Sequence, residues 1–398
     1  MSRLMNTYAR QPVAFVRGQG VWLWDDAGRR YLDALAGIAV NTLGHAHPRL
    51  LAALGEQLQR LVHSSNLFRI PEQERAAELL AEVAGMDEVF FCNSGLEANE
   101  CAIKIARRYG HARGYTEPAI VVMERAFHGR SLATLSASGS RKVQAGFEPL
   151  VQGFVRVPFA DLEAVAQIAA RHRQVAAVWI EPIQGEGGVR PAQSEYLRGL
   201  RHLCDEHGWL LMADEVQCGL GRTGHWFAIQ QAGIRPDVLT VAKGLGSGIP
   251  VGACLAAGRA AGVLGPGSHG STFGGNPLAM VAAATTLETI RDEGLLANAL
   301  RSGEAIRDGL AAALAGRPGV VDVRGAGLMI GVELDRPCGE VVPAALAAGL
   351  VVNVTAESVI RLLPALVIGQ AEAREVVARL VPVVRAFVEG AQGRAAVH

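Results

Sequence analysis

The chain has 398 residues, with 38 basic side chains balanced by 38 acidic ones. Zero net charge argues against a phosphate polymer or an anionic membrane as the main partner, since those require a basic stripe. Half of the residues are hydrophobic and 19% are charged, which excludes a disordered chain and permits a large buried core.

Residues 1–12 are polar and lack the apolar core of a secretion signal, and no run approaches the ~18 apolar residues of a membrane span, so a cytoplasmic protein is expected. Residues 13–24 and 31–32 read as short strand pieces around the turn signal Asp25-Asp26-Ala27-Gly28. Short apolar runs follow at Glu88–Cys92, Ala119–Met123, Val175–Ile180, 209–213 and Val238–Val241, with helical patterns between several of them, as at 96–109 and Ser194–His207. Continuous apolar strands separated by helices predict an α/β fold whose sheet is largely parallel and covered on both faces. The C-terminal part carries a long Ala/Leu-rich helical pattern over 277–315, strands at 320–323 and 329–333, and a last helix near 371–388. Segments 1–65 and 280–398 together read as one smaller α+β unit flanking a large unit of residues 66–279.

The six cysteines, Cys92, Cys101, Cys204, Cys218, Cys254 and Cys338, are scattered without a C-x-x-C pair, so neither disulfides nor structural zinc is indicated. His45 and His47 have no carboxylate or cysteine clustered with them, and no metal site is expected. The apolar runs share a different feature. Each is followed by a polar or glycine-rich segment: Asn93-Ser94-Gly95, Phe127-His128-Gly129-Arg130, Glu181 with Gln184-Gly185-Glu186, Asp214-Glu215, and Lys243-Gly244. Ligands of doubly wound sheets sit outside the carboxyl ends of the strands, so five such ends point to one shared site.

Lysine is scarce: Lys104, Lys142 and Lys243 stand against 35 arginines, so chemistry that needs a lysine amine has three candidates. Lys104 lies on a helix continuing into Arg107-Arg108, and Lys142 follows Arg141 in a polar loop. Lys243 sits between an apolar strand and a glycine-rich loop, where partial desolvation would lower its pKa and free the amine for Schiff-base chemistry. A phosphate-loop or surface lysine fits the same spacing. Asp214, at a buried strand end, requires a partner such as a pyridinium nitrogen, or caps the following turn. Asn93-Ser94-Gly95 opens a helix, as an anion site or as an ordinary N-cap. Gly219-Leu220-Gly221-Arg222-Thr223-Gly224 fits G-x-G-x-x-G, yet it does not clearly open a helix and has no acidic residue about 20 positions on, so it is not read as a dinucleotide loop.

These residues belong to a longer series: FCNSGLEANE from Phe91, FHGR from Phe127, EPIQGEGG from Glu181, DEVQCGLGRTG from Asp214, AKGLGSGIPVGA from Ala242, STFGGNPLA from Ser271 and Arg361-Leu362-Leu363-Pro364. In order and spacing the series resembles the class III, ornithine-type, pyridoxal-phosphate aminotransferases over nearly the whole chain, and within them the N-acetylornithine branch. The resemblance implies a homodimer of the pyridoxal-phosphate fold-type I architecture. It implies Lys243 as the Schiff-base lysine and proton shuttle, Asp214 at the pyridine nitrogen, Gln217 at the ring hydroxyl, and Val216 and Phe127 on the ring faces, with His128 beside the cofactor. Ser94, Gly95 and Leu96 would hold the phosphate, with Thr272 reaching the partner's cofactor. For substrate, the family pattern implies Arg130 at the remote carboxylate, Arg361 at the α-carboxylate of glutamate or 2-oxoglutarate, Glu186 neutralising Arg361 when an ω-amine donor is bound, and Ser271 nearby. An ordinary ion pair predicts the same Arg361–Glu186 contact.

Two departures bear on the substrate. Ornithine aminotransferases place a tyrosine between the segments that match Tyr31-Leu32-Asp33 and Gly44-His45 here, whereas residues 32–44 contain none, which argues for an N-acylated donor. Leu96 and Ala365 stand where other residues are common in the family, without removing a catalytic side chain. The expected reaction is transamination of N2-acetylornithine with 2-oxoglutarate. Succinylornithine, succinyldiaminopimelate, ornithine and 4-aminobutyrate are the competing donors, and glutamate-1-semialdehyde aminomutase is the same-fold alternative.

Overall fold

A computed structural model describes the backbone of residues 3–395 and the side chains through residue 390. The first two residues of the 1–65 segment and the last three of 280–398 thus lie outside the described residues. The apolar runs form a seven-stranded sheet in the order Glu88–Cys92, Gly252–Ala256, Val238–Val241, Leu210–Asp214, Val175–Ile180, Ala119–Met123, Phe154–Val157. Only Gly252–Ala256 runs against the rest, pairing antiparallel with both neighbours, so the sheet is the largely parallel one expected. Val175–Ile180 is buried along its whole length, as a strand covered on both faces must be. Two strands of this sheet were not foreseen, Phe154–Val157 and Gly252–Ala256. The second is built of small residues and merges in sequence with the glycine-rich loop before it.

Helix Gly95–Ala112 packs on this sheet, and Ser194–His207 ends where anticipated, at Gly208 in the left-handed conformation (φ 66°) that terminates helices. The continuous helix expected over 277–315 is two helices, Pro277–Asp292 and Leu295–Leu314. Gly294 between them adopts φ 63° and breaks the run. The N-terminal strands Phe15–Gln19, Trp22–Asp25 and Arg30–Asp33 share a four-stranded sheet with Leu350–Val351, in which Leu32 pairs with Leu350. Apolar residues from both ends of the chain enter one core, Leu32 and Leu43 packing in the cluster that holds Ile330, Leu362 and Val384. A second four-stranded sheet, Val320–Ala326, Met329–Leu334, Val359–Leu362 and Asn353–Thr355, carries Arg361 on an inner strand.

Candidate active site

A cavity of 410 Å³ opens at the carboxyl ends of the central strands, within the ~300–1,000 Å³ typical of small-molecule sites. Its first wall is the start of helix Gly95–Ala112. Ser94 is the N-cap, accepting the Glu97 N–H at 3.2 Å, while the Glu97 carboxylate reaches back to the Asn93 N–H at 2.8 Å. This reciprocal cap leaves the N–H groups of Gly95 and Leu96, at the first two helical positions, without an intrahelical acceptor. Both residues line the cavity, so the segment is a helix cap and an anion cradle at once. A Cβ on Gly95 would lie 2.6 Å from Val216 Cγ1, so only glycine lets the cradle and Val216 approach this closely.

Asp214 closes the strand Leu210–Asp214 and is buried. Its Oδ2 accepts from Asn99 Nδ2 and from His128 Nδ1, both at 2.8 Å, and its Oδ1 accepts the Val216 N–H at 3.1 Å. His128 stacks on Trp179 with ring centroids 3.8 Å apart, which fixes the imidazole plane, and its Nε2 has no partner among the described residues. The orientation of the Asn99 amide follows from its surroundings. Its Nδ2 faces two acceptors, the His128 carbonyl at 2.7 Å and Asp214, while its Oδ1 faces the Thr240 hydroxyl at 2.6 Å, so a flipped amide would set oxygen against oxygen.

Lys243 follows the strand Val238–Val241 and adopts φ 44°, a left-handed conformation seldom held by a side-chain-bearing residue and here fixed by packing. Gly244 behind it lies too close to Thr42 for any Cβ, and the Leu43 N–H donates to Ser247 Oγ at 3.0 Å, which ties the 32–44 segment to the lysine loop. Burial lowers the Lys243 pKa; Glu186 and Asp214 oppose that shift, and Arg361 adds to it. The other two lysines are exposed and do not line the cavity: Lys104 bonds His269 at 2.9 Å, and Lys142 pairs with Glu357 at 3.5 Å. Glu181 lines the cavity fully enclosed, and burial with the neighbouring Asp214 pushes its carboxyl up to about 8.

Arg361 is 0% exposed and does not line the cavity, being screened from it by Glu186 and Gln217, which do. Its Nη1 donates to Glu186 Oε1 at 2.5 Å and to Gln217 Oε1 at 3.1 Å, its Nε to Asn353 Oδ1 at 3.1 Å, and its Nη2 has no partner among the described residues. Burial raises the Glu186 pKa, but Arg361, Lys243 and Gln217 together outweigh it and leave the carboxyl below its ordinary value. Arg130 is exposed at the cavity edge, its guanidinium 5.8 Å from the Phe127 ring centroid.

Of the residues singled out in the sequence, the structure brings Ser94, Gly95, Leu96, Phe127, His128, Arg130, Glu186, Asp214, Val216, Gln217 and Lys243 to one cavity. It does not bring Ser271 or Thr272 there. Ser271 accepts from Asn93 and from the Gly274 N–H outside the cavity, and Thr272 is exposed. Gln217, expected only at a cofactor hydroxyl, also bridges Arg361 and Glu186. Glu181, named in the sequence only as a polar strand end, also lines the cavity, whereas Asn99 and Thr240 were missed as site residues. The usable signal for Asn99 was a polar side chain between Ala98 and Ala102 on the buried face of an amphipathic helix. The 219–224 loop is a series of turns in which buried Arg222 donates to the carbonyls of Leu328 and Pro364. It serves packing against the Arg361 segment rather than opening a helix.

The donor set fits pyridoxal phosphate. The cradle offers N–H donors for a phosphate beside the Ser94 hydroxyl, which here donates to Glu97 Oε2 at 3.1 Å, Asp214 offers a carboxylate for a ring N–H, and the half-buried Lys243 offers an amine, all on one cavity.

Residues 5–384 match the family described as Aminotransferase class-III. The chain is 58% identical to the acetylornithine aminotransferase of Nitrosomonas europaea, over 98% of this chain and 99% of that protein. Among solved structures it is similar to the ornithine aminotransferase of Toxoplasma gondii, with a TM-score of 0.94 and 35% identity over 98% of this chain and 94% of that one. It is also similar to the N-acetylornithine aminotransferase of Stenotrophomonas maltophilia, with a TM-score of 0.83 and 38% identity over 96% and 98%.

Proposed function

The chain belongs to the class-III aminotransferase family, and from that premise we propose that it moves the terminal amino group of N2-acetylornithine to 2-oxoglutarate, as a cytoplasmic, pyridoxal-phosphate-dependent homodimer. The observation that carries the reading is Arg361, a buried guanidinium held by Glu186 on Nη1 and unpartnered on Nη2. An ω-amine donor brings no carboxylate to the reacting carbon, and with it Glu186 neutralises the arginine. Glutamate and 2-oxoglutarate do bring one, and an arginine fork binds it through two nitrogens once Glu186 withdraws. Arg130, at the cavity edge, takes the carboxylate remote from the reacting amine.

Ser94 with the N–H groups of Gly95 and Leu96 would hold the cofactor phosphate, Phe127 and Val216 the ring, and Gln217 its hydroxyl. When bound, pyridoxal phosphate supplies an electron sink for the carbon that loses its proton. Asp214, with His128 and Asn99 fixing its Oδ2, keeps a proton on the ring nitrogen. Lys243, its pKa lowered by burial, takes the proton from the reacting carbon and returns it on the other side of the reaction. In a homodimer Thr272 would serve the partner's phosphate, which accords with its exposure on the single chain.

The choice of acyl-ornithine over ornithine is supported by the identity to the Nitrosomonas protein and by Val40, through which the tyrosine-free 32–44 segment reaches the cavity. A valine offers no hydroxyl to a free α-amine and tolerates an amide. All six cysteines are buried and unpaired, as suits a reducing compartment. The deciding experiment compares kcat/KM for acetylornithine, succinylornithine, ornithine and 4-aminobutyrate with 2-oxoglutarate as acceptor. Acetylornithine should lead, and a preference for free ornithine overturns the assignment.

A further inference from the structure

The Arg361–Glu186 pair is held from one strand. Asn353 and Thr355 are two positions apart on Asn353–Thr355, so their side chains leave the same face. Asn353 Oδ1 accepts from Arg361 Nε at 3.1 Å, and Thr355 Oγ1 donates toward Glu186, lying 2.8 Å from its backbone carbonyl and 3.3 Å from its Oε2. A hydroxyl has a single proton, and the shorter contact takes it, so Thr355 secures the main chain of Glu186 rather than its carboxylate.

The chain on the other side of Glu186 is secured as well. The Gly185 N–H donates to Glu181 Oε2 at 3.1 Å, and a Cβ on Gly185 would collide with the side-chain amide of Gln217. At Gly187 a Cβ would come within 2.9 Å of the Arg125 carbonyl. The backbone around Glu186 is therefore pinned before and after the residue, and the side chain is the part left to move.

We propose that Thr355, acting with Asn353, is a positioning and specificity-determining residue: it fixes the backbone under Glu186 so that the cover on Arg361 opens by side-chain rotation alone and closes in register whenever no substrate carboxylate is present. This rests on the reading of Arg361 as the α-carboxylate site. The clamp matters most to the donor that needs the cover closed. With acetylornithine, a loosened Glu186 leaves the guanidinium poorly paired, whereas with glutamate the substrate itself supplies the carboxylate. Selectivity between the two half-reactions is thus set partly by a hydroxyl that touches neither substrate.

The test compares the holoenzyme with Thr355→Val, which keeps the branched shape, and Thr355→Ser, which keeps the hydroxyl. Thr355→Val should lower the ratio of kcat/KM for acetylornithine to that for glutamate about fivefold, the scale of one hydrogen bond, and Thr355→Ser should hold the parent ratio. Glutarate, a dicarboxylate with nothing to react, must displace Glu186 to reach Arg361. By calorimetry it should bind the valine variant about threefold tighter than the parent. A ratio and a glutarate affinity both within twofold of the parent overturn the proposal, as does an equal fall in both half-reactions with lowered thermal stability. Should the parent fail to turn over acetylornithine, the donor assignment falls by itself, and the glutarate comparison, which does not depend on the donor, still decides the role of Thr355.

Discussion

Replacing Asn99 by aspartate keeps the shape of the side chain and reverses what it offers to Asp214. In the parent, Nδ2 donates to Asp214 Oδ2 at 2.8 Å and to the His128 carbonyl at 2.7 Å. The new carboxyl retains an acceptor for the Thr240 hydroxyl and can donate to Asp214 only while it carries a proton. It is enclosed, since Asn99 is 2% exposed, and it stands beside a second carboxylate, so both burial and like charge raise its pKa. Glu181 in the same cavity already shows that effect, pushed up to about 8. A rise of about 2–4 units over an unfolded value of ~3.9 corresponds, at ~1.36 kcal/mol per unit, to roughly 3–5 kcal/mol. The sign follows from linkage. A folded acid with a raised pKa holds more protons than the unfolded chain between the two values, so stability relative to the parent falls as pH rises from about 4 through the folded pKa. Urea unfolding of parent and variant apoprotein at pH 5 and 8.5 should show a deficit that is clearly larger at 8.5. Asn99→Leu should show a deficit that does not change with pH. A pH-independent deficit for Asn99→Asp would refute the placement of this side chain against Asp214.

Lys243→Met should stabilise the apoprotein at pH 7 by about 0.5–2 kcal/mol, because a charge whose burial is costly is removed. The folded pKa lies below the ordinary 10.5, so parent stability rises with pH between the two values and the advantage of methionine shrinks toward pH 10.5, as urea titrations at pH 7 and 9.5 would record. Glu186→Gln should cut the acetylornithine half-reaction at least tenfold and spare that of glutamate, measured as single turnovers of each; an equal loss in both contradicts the neutralising role. If Thr272 serves the partner subunit, mixing inactive Lys243→Ala with weakened Thr272→Ala protein should restore up to about a quarter of parental activity, since half of the re-formed dimers carry one intact site; no recovery despite subunit exchange places Thr272 elsewhere.

The central sheet was legible because its strands are nearly unbroken apolar runs, and the strand ends were legible because each run stops at a polar group. What escaped was whatever lacks a period. Gly252–Ala256 has small residues on both faces and follows a glycine loop, so nothing in its composition marks a strand. The break at Gly294 hides inside an Ala/Leu pattern that continues on both sides. Among site residues, Lys243 and Asp214 could be weighed one by one because each sits at a strand end. Asn99 and Thr240 acquire meaning only when helix Gly95–Ala112 and strand Val238–Val241 are laid beside Asp214. Arg361 and Glu186, 175 positions apart, were joined through the family pattern; no local feature of the chain joins them.

The closed state of that pair has a physical cause that also limits how it opens. A guanidinium at 0% exposure that loses its carboxylate is left as an uncompensated buried charge, a change costing roughly 3–5 kcal/mol. At that cost an empty site with Glu186 withdrawn is populated below about 1%. On the proposed reading of Arg361 as a carboxylate site, an arriving carboxylate avoids that cost when it replaces Glu186 in the same event. The requirement favours a substrate anchored elsewhere first, and Arg130, exposed at the cavity edge, is placed to seize the remote carboxylate before the inner one competes with Glu186. On the proposed reading, a monocarboxylate lacking that anchor has to displace Glu186 unaided, so a selectivity for five-carbon dicarboxylates as amino acceptors would reside in the pairing of an open arginine with a covered one.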